Sequence, residues 1–124
     1  MSQKTVPQIG MAIVELRDKT TTHTLKPQDT QEGTITLTNF GMTGTMIGVP
    51  IIRHPEVAII GLGAITKKVM VMGDDSMAIR STMMISLTFD HRVLDGMYGC
   101  SFMNELKKRI EHHSSDDEKP GCPS

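Results

Sequence analysis

The spacing of apolar residues changes repeatedly along this chain, and each change predicts an element. Residues 11–19, Met-Ala-Ile-Val-Glu-Leu-Arg-Asp-Lys, read as a short helix that fades into the run Thr20-Thr21-Thr22, because threonine is a weak helix former. Before it, residues 1–10 are polar, and Pro7 and Gly10 are expected to break any regular element. Pro27 opens a turn or single helical turn over residues 25–29.

A different period follows. Residues 33–41 alternate Ile35 and Leu37 against Thr34, Thr36 and Thr38 between two glycines, the pattern of a half-buried strand. Residues 41–48 form a glycine-punctuated loop whose backbone can approach a ligand closely. Residues 50–55 are expected to be extended, since a residue before proline avoids the helical region. Residues 57–65 are apolar on both faces and predict a buried central strand, with Gly61 and Gly63 marking a bulge or close backbone contact.

Residues 67–72 are a further strand, Gly73-Asp-Asp75 supplies hairpin turn residues, and residues 78–89 return as one long strand. Met83, Ile85, Leu87 and Phe89 share one face of it, and Thr82, Met84, Ser86 and Thr88 the other. The strongest helix covers residues 97–111, where Cys100, Met103, Leu106 and Ile110 form an apolar stripe. Lys107, Lys108 and Arg109 lie near its C-terminal end, where the helix dipole favours cations. Residues 112–124 are polar and are expected to be disordered.

Composition narrows the class. A chain of 124 residues suffices for one domain with a modest core. Aromatic residues make up only 3%, while eleven methionines supply bulk that packs adequately but specifies shape weakly, so a partner is expected to cover the remaining surface. The net charge is −1 with no basic stripe, which leaves nucleic-acid binding without support. Cys100 and Cys122 are too few for a disulfide scaffold and too far apart for a zinc knuckle. No apolar run approaches the roughly 18–20 residues of a membrane span, and no signal-peptide core is present. The expectation is a soluble protein of a reducing compartment, with no metal and no membrane or nucleic-acid partner.

One stretch carries candidate chemistry. In Ser86-Leu-Thr-Phe-Asp-His-Arg-Val-Leu-Asp-Gly96 a strand runs into a charged turn that offers His91, with Asp95 four residues later. The spacing alone says little, since His112/Asp116 and His113/Asp117 repeat it in the polar tail. Only the first pair lies between a strand and a helix. Asp95 reads there as a helix N-cap, as the partner of an arginine, or as a chemical group. His91 reads as a hydrogen-bonded turn residue or as a proton carrier.

Five stretches, in order, carry a resemblance: Leu25-Lys-Pro-Gln-Asp29, Gly33-Thr-Ile-Thr-Leu-Thr-Asn-Phe-Gly41, Pro55-Glu-Val-Ala-Ile-Ile-Gly61, Leu87-Thr-Phe-Asp-His-Arg-Val-Leu-Asp-Gly96, and the helix that follows. Together they resemble the C-terminal half of the catalytic domain of dihydrolipoamide acyltransferases, the cores of 2-oxo acid dehydrogenase complexes. The Asp-His-Arg-Val-x-Asp-Gly signature is the most specific of them. The resemblance implies an α/β, chloramphenicol acetyltransferase-like mixed sheet with a C-terminal helix, truncated to about half the domain. Residues 1–24 match poorly, residues 25–111 correspond to a partial catalytic domain, and residues 112–124 form the tail.

The same resemblance implies roles and partners. His91 corresponds to the general base, Thr38 to the hydroxyl that stabilises the oxyanion, and Asp95 to a structural support paired with an arginine from the unmatched half. Coenzyme A and lipoamide are the implied substrates. The implied partners are two further copies in a homotrimer or larger core, with His91 and Thr38 meeting from neighbouring chains, and the other subunits of a 2-oxo acid dehydrogenase complex. The implied location is cytoplasmic, or the mitochondrial matrix in a eukaryote. A second reading of the same residues is a catalytically silent oligomerisation module.

Overall fold

The structure, a computed structural model, describes residues 4–31 and 33–113. The tail expected at residues 112–124 lies outside the described residues from position 114 onward. The chain divides into two compact units, Gly33–Met103 and a second made of Met1–Glu32 with Asn104–Ser124.

In the second unit the N-terminal helix α1 spans Val6–Thr21, longer at both ends than its apolar residues predict. Pro7 lies in the first turn, where its missing N–H has no intrahelical partner to lose. The Thr5 N–H donates to Gln8 Oε1 at 2.9 Å, which satisfies one donor at that end. Gly10 is carried inside the helix rather than ending it. At the other end the helix runs on through the threonines, whose hydroxyls turn back onto it: those of Thr20, Thr21 and Thr22 donate to the carbonyls of Leu16, Arg17 and Asp18 at 2.8, 3.0 and 2.9 Å. A single 3-10 turn, Pro27–Thr30, follows.

The Gly33–Met103 unit carries the sheets. Strand β1, Ile35–Asn39, runs parallel to β2, Ala58–Leu62, and β2 runs antiparallel to β5, Ile85–Phe89, giving a mixed three-stranded sheet in the order β1-β2-β5. Strands β3, Thr66–Val71, and β4, Met77–Thr82, form a separate two-stranded ribbon. Its turn is closed by Met72 N–H donating to Ser76 O at 2.8 Å, with Asp75 in the left-handed region at φ 61°. Helix α2 spans Gly96–Glu111, and its C-terminal half belongs to the other unit.

β2 is the central strand, as its apolar run predicts. Ala58, Ile59 and Ile60 are the buried hydrophobic residues, at 4%, 7% and 8% exposure. Burying both faces of one strand needs layers above and below. On one face the first turns of α2 close over β5: a Cβ placed on Gly99 would lie 2.7 Å from Phe89 Cε1. On the other face the Phe40 ring lies over two glycines, with Cβ positions on Gly61 and Gly48 falling 2.7 and 2.8 Å from it.

Three sequence expectations change here. The long strand over residues 78–89 is two strands in different sheets, broken at Met83 and Met84, where the Met84 carbonyl accepts the Gly63 N–H at 2.9 Å. The alternation in β1 is present but its burial is reversed, with Leu37 64% exposed and Thr36 and Thr38 half-buried. The cause is position: β1 is an edge strand, so Ile35 and Leu37 lie on the face shared with Phe89 yet remain uncovered, while the Thr36 hydroxyl donates to the Glu56 carboxylate on the opposite face. Residues 50–55 end in a turn rather than running extended, with Glu56 N–H donating to Arg53 O at 2.8 Å.

Candidate active site

β5 delivers its C-terminal end to a tight turn. The Asp90 N–H donates to Val57 O at 2.9 Å, continuing the strand pairing for one further residue. The Asp90 carbonyl then accepts the N–H groups of Val93 and Leu94, both at 3.0 Å, and the chain turns into α2. His91 stands exposed on this turn. Its ring packs obliquely against Phe89, with centroids 5.5 Å apart and planes at 39°, and makes no hydrogen bond among the described residues.

The residues flanking His91 are held firmly. Asp90 Oδ1 accepts the backbone N–H of Arg92 at 2.9 Å, and the two carboxylate oxygens accept Nε and Nη2 of the same arginine at 3.0 and 2.6 Å. The Arg92 side-chain hydrogen bonds, followed by its backbone N–H, bring the Asp90 carboxyl from 3.8 down to about 2. Sequence reasoning missed this fork. The only sequence signal for it was an Asp and an Arg two positions apart around the histidine.

Asp95 occupies the N-cap of α2. Its Oδ1 accepts the Tyr98 N–H at 2.7 Å, and its carbonyl accepts the Gly99 N–H at 3.1 Å. Among the described residues no arginine pairs with it. Among the described residues no hydrogen bond or ion pair joins the carboxylate to the His91 ring, and it caps the start of α2.

Thr38 lies elsewhere in the sheet. It is opposite Gly61 on β2, and Gly61 is opposite Ser86 on β5. No hydrogen bond engages the Thr38 hydroxyl among the described residues, whereas Ser86 Oγ donates to Gly48 O at 2.6 Å. Strand residues advance about 3.3 Å and neighbouring strands lie about 4.8 Å apart, so the Cα atoms of Thr38 and Phe89 are roughly 14 Å apart across two strands and three residues. His91 leaves the sheet beyond Phe89. One chain keeps the histidine and the threonine at separate places.

The glycine loop at residues 41–48 is tied to the sheet through its backbone, with the Ala64 N–H donating to Thr45 O at 2.8 Å, while residues 42–47 stay exposed. It contains the turn Gly41–Thr43 and Gly44 at φ 80°, a left-handed conformation suited to glycine. A Cβ on Gly41 would strike the backbone of Gly63 and Ala64. Among the described residues, no group of three or more His, Cys, Asp and Glu side chains is arranged to hold a metal ion. No helix of the described residues is long and apolar enough to cross a membrane.

Comparison with known proteins adds to this geometry. Residues 1–115 match the model of the 2-oxoacid dehydrogenases acyltransferase (catalytic domain) family. The chain is 41% identical over 109 residues to the dihydrolipoyllysine-residue acetyltransferase component of the pyruvate dehydrogenase complex of Corynebacterium glutamicum, covering 86% of this chain and 16% of that one. It is 40% identical over 85 residues to the lipoamide acyltransferase component of the branched-chain alpha-keto acid dehydrogenase complex of Pseudomonas aeruginosa, covering 68% of this chain and 20% of that one. The crystal structure of a probable dihydrolipoamide acetyltransferase from Listeria monocytogenes superposes with a TM-score of 0.88 at 31% identity, covering 94% of this chain and 50% of the other. The chain thus spans half the length of that solved structure and under a quarter of the two curated relatives.

Proposed function

This chain belongs to the 2-oxoacid dehydrogenases acyltransferase (catalytic domain) family, and on that premise we propose that it transfers an acyl group between dihydrolipoamide and coenzyme A. The observation that carries this reading is the turn after β5, which leaves His91 exposed between two anchored residues with its ring unbonded.

His91 is the base. A thiol of coenzyme A, with an ordinary pKa of about 8.5, is mostly protonated near neutrality, and the neutral imidazole takes its proton as sulfur attacks the thioester carbonyl. The carbonyl oxygen gains negative charge as the carbon–sulfur bond forms. The Thr38 hydroxyl, which makes no hydrogen bond among the described residues, donates to that oxygen. When the tetrahedral intermediate collapses, the leaving dihydrolipoamide sulfur takes the proton from the imidazolium. The products are an acyl-coenzyme A and a free thiol, and the same steps run in reverse.

The separation of Thr38 from His91 within one chain supports a site built between neighbours, with the histidine of one copy facing the threonine of another. We extend the proposal to a homotrimer or larger core that works with the other subunits of a 2-oxo acid dehydrogenase complex, in the cytoplasm or the mitochondrial matrix. Asp95 supports the site by capping α2.

A silent oligomerisation module is the second reading. Purified protein given acetyl-coenzyme A and dihydrolipoamide decides between them. Thioester formation that disappears in His91→Ala supports the enzyme, activity that survives the substitution removes His91 from the mechanism, and no activity in the parent favours the silent module.

A further inference from the structure

Among the described residues the imidazole makes a ring contact with Phe89 and no hydrogen bond, so the direction it points is decided by the backbone that carries it. That backbone is held by one residue, Asp90, through its main chain before His91 and its carboxylate after it. Asp90 anchors the residue before His91 to the sheet through Val57 O at 2.9 Å, and its carboxylate anchors the residue after it through the Arg92 N–H at 2.9 Å. The Asp90 carbonyl also receives Val93 and Leu94, which fixes the exit of the turn. The guanidinium of Arg92 closes over the same carboxylate at 2.6 Å, occupying the oxygen that the backbone bond leaves. The histidine is thus the unbonded middle residue of a three-residue clasp.

We propose that Asp90 is a positioning residue for His91, holding the imidazole against Phe89 and aimed out of the turn by fixing the peptide units on either side of it. The proposal rests on the reading of His91 as the base. Asp90 itself touches neither substrate nor the ring; it acts through the Arg92 N–H. A base displaced by about 1 Å loses on the order of a hundredfold in rate, so the clasp matters to turnover more than to substrate binding.

The test uses the full chain with Asp90→Ala, Asp90→Asn and Asp90→Glu. Two readouts are taken: nuclear Overhauser contacts between the His91 and Phe89 ring protons, and kcat and KM for acyl transfer from acetyl-coenzyme A to dihydrolipoamide. Asn keeps an oxygen for the Arg92 N–H and is expected to retain the ring contact and most of the rate. Ala is expected to lose the ring contact and to lower kcat by about tenfold to a hundredfold with KM within about twofold. Glu, which carries its carboxylate one methylene too far, is expected to behave like Ala and decides the matter if the Ala variant does not fold. A ring contact that persists in Ala or Glu overturns the proposal, as does an Asn variant no better than Ala. A parent without activity refutes the assigned reaction instead, and the ring contact still decides the role of Asp90.

Discussion

The Phe89 ring fills the space that a side chain at Gly99 would need: a Cβ there would lie 2.7 Å from Cε1 and 3.1 Å from Cζ. The same ring packs against His91, so the closeness of α2 to β5 bears on the candidate site as well as the core. In an exposed helix, Gly→Ala stabilises by about 1 kcal/mol, whereas overpacking a filled contact costs about 1–3 kcal/mol. Gly99→Ala is therefore expected to lower the denaturant midpoint. A raised midpoint would mean that the ring moves aside at no expense.

Gly61 poses the same question on the other face. A Cβ there would stand 2.7 Å from both the Phe40 ring and Ser86 Oγ, in the row that also contains Thr38. Gly61→Ala is expected to destabilise by about 1–3 kcal/mol, read by urea unfolding. Unchanged stability would show that Phe40 is loosely seated.

The separate positions of Thr38 and His91 predict complementation between chains. His91→Ala alone is expected to lower turnover by about two to four decades, and Thr38→Val by about two to three. If neighbours share each site, co-assembly of the two variants in equal amounts leaves about a quarter of the sites with both native groups, by the symmetry of a closed ring. Recovery to about a quarter of parental turnover after mixing and reassembly checks this. No recovery would place both groups of a site on one chain.

Asp95 is expected to matter through the helix it caps. Asp95→Ala removes the acceptor of the Tyr98 N–H and should cost about 0.5–2 kcal/mol, while Asp95→Asn, which keeps an acceptor, should cost far less. Helix content and thermal unfolding followed by circular dichroism separate the two. Equal losses in both variants would point to the charge rather than the cap.

The Asp90–Arg92 fork sets an acid limit on the turn. The folded carboxyl titrates at about 2 instead of its ordinary 3.8, because Arg92 hydrogen bonds favour the ionised form. A depressed carboxyl contributes stability that is present above the ordinary value and is lost as pH falls through the folded one, a window from about pH 4 down to about pH 2. The 13C shift of the Asp90 carboxyl against pH measures it, and Arg92→Ala should move the midpoint back toward 3.8. A parental midpoint already at 3.8 would show that the fork does not hold in solution.

Local chemistry explains which elements were legible. The apolar run of β2 and the turn residues of the β3–β4 hairpin each express a preference that a few neighbouring residues enforce alone. Helix α2 was legible as a helix, but Cys100 and Ile110 of its expected apolar stripe are exposed, and Gly99 is the residue that meets the sheet, at Phe89. Asp95 as an N-cap belongs with them, since a cap needs only the next three residues. The break at Met83 and Met84 was not legible. It depends on Gly63 claiming the Met84 carbonyl from a distant strand, and alternation runs through it uninterrupted. The burial of Thr38 above Leu37 was hidden for a similar reason, because strand order decides which face of an edge strand is covered.

For the strand–turn–helix around His91, the residues by themselves determined that a histidine would be presented between a β-strand and a capped helix. Residue types and spacing suffice for that. Only the tertiary structure decided that His91 and Thr38 lie far apart on one chain and that Asp90 ties the turn back to the sheet through Val57 O. Those outcomes depend on strand register and on which acceptor each N–H reaches first, and both are set by the packing of segments remote in sequence.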